Sequence, residues 1–416
     1  MQKTIFRHLY IQVFLGMILG GFVGHYFPEQ GINLKILAEG FIKLIRLMVA
    51  PIIFASVVVG LASLGDLKRV GRIGLKALIY FEVMTTLALI IGILVIKLFH
   101  PGEGVNADVS KLNPKEIETY VTKAHDQTVS GFFLNIIPKT IVGAFAEGDI
   151  LQVLFVSVFF GIALASLGPA TKPLVTALEQ VYHALMKMIG MIVRLAPLAA
   201  FGSVAFTCSK FGAPAILSMG KVLLCMYFAC LVFIIVGLGS LLRFCGISLW
   251  AFLKYIREEI LIVLGTSSSE AAFPRMMDRM EGLGCSRPVV GIVLPSGYSF
   301  NLDGSAIYLT LGALYIAQAT NTHLSLGQEL VFLAVCLITS KGAAAVTGSG
   351  FIALAATLSA MHTIPVEGMM LIIGVDQLLS TARAVTNLIG NGTATIVVAK
   401  WEGEFDQAKA RRALGG

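Results

Sequence analysis

Asp376, Ser380, Arg383, Asn387 and Asn391 are the residues of this 416-residue chain best placed to do chemistry. They stand four, three, four and four apart inside one apolar stretch, LIIGVDQLLSTARAVTNLIGNG, Leu371 to Gly392. At about 100° per residue a helix puts all five on one stripe, and Leu, Ile, Val and Ala fill its other faces. An ionisable group inside such a span is expensive and marks a substrate or ion path. An Asp–Arg pair that only ties helices together is the plainer alternative. The amides that continue the stripe favour a lining.

The elements that carry this stripe belong in a bilayer. Hydrophobic residues make up 56% of the chain and charged residues 13%, against about 25% charged in an average soluble domain. The apolar runs reach the roughly 20 residues that a spanning helix needs. The 43 glycines imply helices that approach closely or break. The net charge of +7 resides in short loops between apolar runs, as in cytoplasmic anchors, and does not point to nucleic acid. Cysteines at 208, 225, 230, 245, 285 and 336 form no CxxC pair, and the seven histidines are scattered. No disulfide framework, zinc site or cofactor is expected.

Eight spans are predicted. Lys3, Arg7 and His8 precede the first, and without an A-x-A-like cleavage site before Pro28 it reads as a helix rather than a leader. The second runs from about Leu34 to Leu64, with Lys43 and Arg46 snorkelling or facing the bundle. DLKRVGRIGLK follows as a short inside loop with Lys68, Arg69, Arg72 and Lys76. The third, Leu75 to Phe99, holds Glu82, either a proton carrier or an interface residue. His100 to Ser130 belongs outside. Spans four to six lie at Phe132–Leu167, broken around Pro138 and Gly148, Lys172–Phe206 and Ala215–Phe244.

The pattern then changes. Ile260 to Leu283, ILIVLGTSSSEAAFPRMMDRMEGL, has a tip at Ser267, Ser268 and Ser269 and basic feet at Arg275, Arg279 and Arg287. Each arm is too short to cross, so a re-entrant hairpin from inside is predicted. The seventh helix opens at Pro288 and is interrupted by SGYSFNLDGS. Gly297, Ser299, Asn301, Asp303, Gly304 and Ser305 in mid-span would free carbonyls for cation coordination; a kinked structural helix is the alternative. Leu330 to Met361 repeats the hairpin, with SKGAAAVTGSG at its tip and no Lys or Arg in its flanks, so it should enter from outside. Pro365 opens the eighth helix as Pro288 opened the seventh. Such an inverted repeat puts substrate and ion sites near the midplane, where broken helices meet. Lys400, Lys409, Arg411 and Arg412 close the chain inside, with both termini cytoplasmic.

At these residues the chain resembles the dicarboxylate/amino acid:cation symporters, the family that includes the glutamate transporters. The likeness covers nearly the whole length. It rests on the triple serine, on NLDGS where the family has Asn-Met-Asp-Gly-Thr, and on the last helix. GTSSSEAAFPRM, GYSFNLDGSAIYLT, GAAAVTGSGFIALAATLSA and ARAVTNLIGNG most resemble the family's bacterial C4-dicarboxylate branch. The resemblance implies a homotrimer in a bacterial inner membrane, in contact with lipid. Residues 1–74 and 131–206 would form a scaffold. Residues 75–99 and 207–416 would form a transport domain that moves as an elevator, with 100–130 as an extracellular loop. It also implies that Arg383 meets the substrate's distal carboxylate. Ser267, Ser268, Ser269 and Ser305, with Val346, Thr347 and Gly350 of the second tip, would complete the substrate site beside Asp376, Ser380 and Asn387.

Two departures from the family pattern carry information. Amino-acid carriers of the family have an Asp at the position of Ser380 for the substrate ammonium. Its loss fits a substrate without an amino group, because a buried carboxylate lacking its partner is costly. Sodium-coupled relatives have an Asp at the position of Asn391, in a cation site with Gly297, Asn301 and Asn387. A neutral amide there weakens a Na⁺ site and favours protons. Asp303, Glu82, Glu270 and Asp376 are then candidate carriers; Glu270 could equally be a solvated tip residue, and Lys341 could pair with a carboxylate or touch substrate. The expected function is proton-coupled import of C4-dicarboxylates such as succinate, fumarate and malate. An acidic or neutral amino-acid symporter of the same fold, coupled to Na⁺ or H⁺, is the nearest rival. A serine hydrolase is not expected, for lack of a G-x-S-x-G elbow at the serines and of a His in a matching span. A channel fits less well with hairpins entering from opposite faces.

Overall fold

The computed structural model describes residues 9–62, 67–107, 134–342, 349–361, 363–372 and 375–415. Val346, Thr347 and the predicted outer loop from residue 108 onward lie outside them, as does the side chain of Lys341. Among the described residues the chain is helical, with one isolated bridge between Cys285 and Phe405. The main helices are α1 (Leu9–Tyr26), α2 (Lys35–Ala62), α3 (Leu67–Phe99), α4 (Ile150–Leu167), α5 (Lys172–Ile192), α6 (Ala196–Ser218) and α7 (Gly220–Val232). They are followed by α8 (Arg257–Thr266), α9 (Phe273–Leu283), α10 (Arg287–Phe300), α11 (Asp303–Ala319), α12 (Leu326–Gly342), α13 (Ser349–Met361), α14 (Asp376–Glu402) and α15 (Gln407–Leu414). Among the described residues, five stretches are long and apolar enough to cross a membrane: Pro28–Ala62, Lys68–Phe99, Ile150–Leu167, Lys172–Phe206 and Gly220–Phe244. The architecture is that of a polytopic membrane protein.

Local chemistry sets the breaks. Gly148, at φ +69, ends a short helix, and the Asp149 carboxylate then caps α4 by accepting from the N–H groups of Leu151 (2.8 Å) and Gln152 (3.1 Å). Ser267, at φ +54, ends α8, and Pro274 and Pro288 stand in the first turns of α9 and α10, where the missing proline N–H removes no helical bond. Asn301 and Leu302 leave helical geometry and split the seventh predicted span into α10 and α11.

Three boundaries differ from the sequence expectation. DLKRVGRIGLK is not a loop from residue 67 onward but the first turns of α3. Its cations are met in place: Arg69 pairs with Glu404, and Glu402 takes Arg72 at 2.9 Å and Lys76 at 2.7 Å. The helix expected to stop near Phe206 runs to Ser218. The last long helix starts at Asp376 rather than at Pro365, after a 3₁₀ stretch Val366–Leu371. Gly368 there lies so close to Ile316 that a Cβ would overlap its side chain, and the chain follows that contact instead of a regular helix.

Close backbone approach holds the helices together. Gly16, Gly20 and Gly24 of α1 face the backbone of Pro197, Phe201 and Ala205 on α6, where any Cβ would collide with a carbonyl oxygen. This small-residue seam is the way helices associate where lipid supplies little hydrophobic drive. Helix α2 packs on α4, α5 and α6, while α3, α7, α10, α11 and α14 pack on one another and α13 lies on α11 and α12. The two sets meet where α8 touches α1 and α6, and where α10 touches α2 and α4.

Candidate functional site

The gap between α10 and α11 is filled from α14. Asn387 reaches across it: Oδ1 accepts from the Gly304 N–H at 2.8 Å, and Nδ2 donates to Ser305 Oγ at 3.3 Å. One of the N–H groups left open at the start of α11 is thereby satisfied. Gly304 sits directly on the Arg383 carbonyl, with no room for a Cβ.

One turn further along α14, Asn301 Nδ2 is shared between Asp303 Oδ2 and Asn391 Oδ1, each at 3.2 Å. Two glycines make this closeness possible. A Cβ on Gly297 would strike Asn391 Oδ1, and one on Gly390 would strike Asp303 Oδ2. Asn301, Asp303 and Asn391 are all buried, and Asn301 Oδ1 and Asn391 Nδ2 have no hydrogen-bond partner among the described residues. The set holds one carboxylate and two amides, and the Asn391 oxygen is already engaged by a neighbouring N–H.

Arg383 is 6% exposed. Its Nη2 donates to Ser380 Oγ at 3.3 Å, and its guanidinium carbon lies 5.6 Å from the centroid of the Tyr308 ring, within cation–π range. Tyr308 also donates its hydroxyl to Asp376 Oδ1 at 2.7 Å. Gly350, at the start of α13, backs onto the guanidinium so closely that a Cβ would overlap it. Arg383 makes no ion pair among the described residues.

The serine tip reaches the same helix. Ser267 Oγ and Thr381 Oγ1 are 2.5 Å apart, and the Ser269 carbonyl accepts from the Tyr298 hydroxyl at 3.0 Å. Ser268 Oγ is buried with no partner among the described residues. Glu270 is not solvated: it is 5% exposed and accepts from Arg46 Nε of α2 at 2.9 Å.

The structure thus brings Ser267, Ser269, Ser305, Gly350, Asp376, Ser380, Arg383 and Asn387 around one stretch of α14, with Gly297, Asn301, Asp303 and Asn391 beside it. Ser299 is half-buried, and Glu82 lies exposed on α3. Three participants were not singled out from sequence as site residues. Tyr308 reads as one more aromatic in an apolar helix, and Thr381 is one residue off the stripe. Arg46 was expected only to snorkel or face the bundle.

A helical, apolar, multi-spanning chain with a broken helix, a serine tip between two short helices and a buried guanidinium defines a membrane carrier. The profile of the sodium:dicarboxylate symporter family matches residues 9–401, and the chain belongs to that family. It is 55% identical over 415 residues to the C4-dicarboxylate transport protein of Anaeromyxobacter sp. (strain K), covering 100% of this chain and 94% of that one. It is 51% identical over 413 residues to the C4-dicarboxylate transport protein of Pseudomonas syringae pv. tomato, covering 99% and 90%. The protein of that name from Rhizobium etli is 51% identical over 415 residues, covering 100% and 94%. The family and these relatives are transporters, not enzymes.

Proposed function

We propose that this chain is a secondary active symporter that imports C4-dicarboxylates such as succinate, fumarate and malate, coupled to protons. The carrying observation is Arg383: a buried guanidinium whose hydrogen bond goes to the Ser380 hydroxyl and which has no ion pair among the described residues. A buried charge of this kind needs an anion, and its planar fork suits a carboxylate. A hydroxyl at 380, where an ammonium-binding acid would stand, suits a diacid. Ser268, with its unpartnered hydroxyl, and the second tip, including Val346 and Thr347, would take the other carboxylate. The names of the relatives agree with this substrate class.

Proton coupling is supported by the Asn301, Asp303 and Asn391 cluster, which holds a single carboxylate and whose Asn391 oxygen is already engaged by Asn301 Nδ2, a poor charge set for Na⁺. Asp303 and Asp376 are the proposed proton carriers. The architecture is eight spans and two hairpins entered from opposite faces, in an inner membrane with both termini cytoplasmic. An elevator movement of residues 75–99 and 207–416 against 1–74 and 131–206 is supported by the two packing sets, which touch mainly through α8 and α10. A homotrimer is supported by Leu174, Val181 and Met188, exposed apolar residues seven apart on α5, a spacing that keeps one face of a helix toward a partner.

The test is uptake of radiolabelled succinate into proteoliposomes under an imposed pH or Na⁺ gradient, competed by fumarate, aspartate or glutamate. Uptake driven by the pH gradient and blocked by fumarate is expected. Aspartate uptake without succinate uptake would overturn the substrate assignment, and uptake driven by Na⁺ alone would overturn the coupling.

A further inference from the structure

The end of the sixth predicted span, beyond α7, carries an open cavity of about 790 Å³, whose lining includes Ile235, Val236, Ser240, Arg243, Ser248 and Trp250. Its upper wall is the end of a lipid-type face: Leu224, Phe228, Leu231 and Ile235 are all exposed and recur at the three- and four-residue steps of one helical stripe. Arg243 comes eight residues after Ile235, which in a regular α-helix would turn it well away from that stripe. Phe233–Leu238 is π-helical, however, and the i→i+5 turn absorbs about one extra residue. The eight-residue step then acts as a seven-residue step, and Arg243 falls under the stripe.

Arg243 is exposed and its side chain makes no hydrogen bond or ion pair among the described residues. None of the residues lining the cavity is acidic. Lys400 lies behind the lining residue Gly246: it donates to the Cys245 carbonyl at 2.6 Å and is 3.8 Å from where a Cβ on Gly246 would be. Trp250, 71% exposed, lines the opening, as tryptophan side chains do at the headgroup level of a bilayer. Gly239 has its Cβ position 3.2 Å from the Leu249 side chain, so the returning chain is held against the helix beside the cavity.

We propose that this cavity is a binding site for one anionic phospholipid, its phosphate on Arg243 with the Ser240 and Ser248 hydroxyls near by, and its acyl chain along Ile235, Leu231 and Phe228. The occupant is a lipid rather than a free phosphate because the cationic end continues directly into an exposed apolar stripe about one leaflet long. The site rests on the membrane reading of the chain and is independent of its substrate.

Native mass spectrometry of the full-length protein, delipidated and then offered phosphatidylglycerol, phosphatidylcholine or sn-glycerol 3-phosphate, tests it. Wild type is expected to retain one more phosphatidylglycerol per chain than Arg243→Gln, with about tenfold weaker retention in the variant, since one charge-assisted contact is lost. Trp250→Ala should weaken retention without abolishing it. Succinate uptake by both variants serves as the check that they fold. Equal retention of phosphatidylglycerol by wild type and Arg243→Gln, or equal retention of phosphatidylcholine, would overturn the proposal. Retention of glycerol phosphate as strong as that of the lipid would reduce the site to a phosphate pocket and overturn the acyl-chain assignment.

Discussion

Arg46 of α2 and Glu270 of the serine tip meet at 2.9 Å, with the carboxylate side chain 7% exposed and the guanidinium side chain 40% exposed. The asymmetry makes the two halves unequal. Removing Arg46 leaves a buried carboxylate with its desolvation uncompensated, whereas Glu270→Gln leaves a guanidinium that water can reach. Arg46→Ala is therefore expected to lower the thermal midpoint more than Glu270→Gln does, by the equivalent of roughly 1–3 kcal/mol. Adding Glu270→Gln to Arg46→Ala should recover most of that loss. Unfolding curves of the three purified variants decide it, and a double variant no better than Arg46→Ala would mean that the pair contributes nothing.

Ser380→Asp would set a carboxylate within reach of Arg383, three residues on along the same helix. The new carboxylate would occupy the guanidinium fork that the substrate needs. Succinate uptake is expected to fall about a hundredfold, the consequence of losing a few kcal/mol of charge-assisted binding, and aspartate should compete better than it does against wild type. Arg383→Lys, which keeps the charge but loses the planar fork, should cost about ten- to a hundredfold through KM. Initial rates over a range of succinate concentrations separate these outcomes.

Gly350→Ala tests whether the start of α13 belongs to the site. The added methyl would overlap the guanidinium of Arg383, so either the helix or the arginine must shift. Arg383 is held on its other sides by Ser380 and the Tyr308 ring, which leaves little slack. Succinate affinity is expected to drop at least tenfold, and the thermal midpoint to fall as well, by the equivalent of overpacking costs of about 1–3 kcal/mol. A normal KM in a folded variant would remove Gly350 from the site.

Much of this arrangement was legible in the chain because its signals are local. The spacing of Asp376, Ser380, Arg383, Asn387 and Asn391 needs only a helix to become a stripe, and α14 supplies it. The Gly/Asn/Asp cluster at 297–305 cannot stay helical throughout, and the helix breaks at Asn301 and Leu302. What the sequence hid depends on contacts between distant segments. Tyr308 belongs to the site only because α11 lies beside α14, and Glu270 meets Arg46 across a separation of 224 residues. The helical start of α3 was missed for the same reason: Lys and Arg next to a glycine read as a loop until Glu402 and Glu404 arrive from the far end of the chain.

Asn391→Asp addresses the coupling ion through a position where a single atom changes the charge set. Asn391 Oδ1 now accepts from Asn301 Nδ2 at 3.2 Å, and Asn301 in turn donates to Asp303 Oδ2 at 3.2 Å. A carboxylate at 391 keeps that acceptor and adds a second negative charge to a buried cluster, where two carboxylates repel unless a cation or a proton sits with them. With Asn301 Oδ1 free of partners among the described residues, the variant offers two carboxylates and an amide oxygen, a hard-oxygen set suited to a small cation. Succinate uptake by the variant is expected to become stimulated by an inward Na⁺ gradient that leaves wild type unaffected, and to depend less steeply on the pH gradient. Uptake into proteoliposomes with the two gradients imposed separately measures both effects. A variant that stays insensitive to Na⁺ would show that the amide at 391 does not decide the ion, and wild type already driven by Na⁺ would move the cation site onto backbone carbonyls of the broken helix.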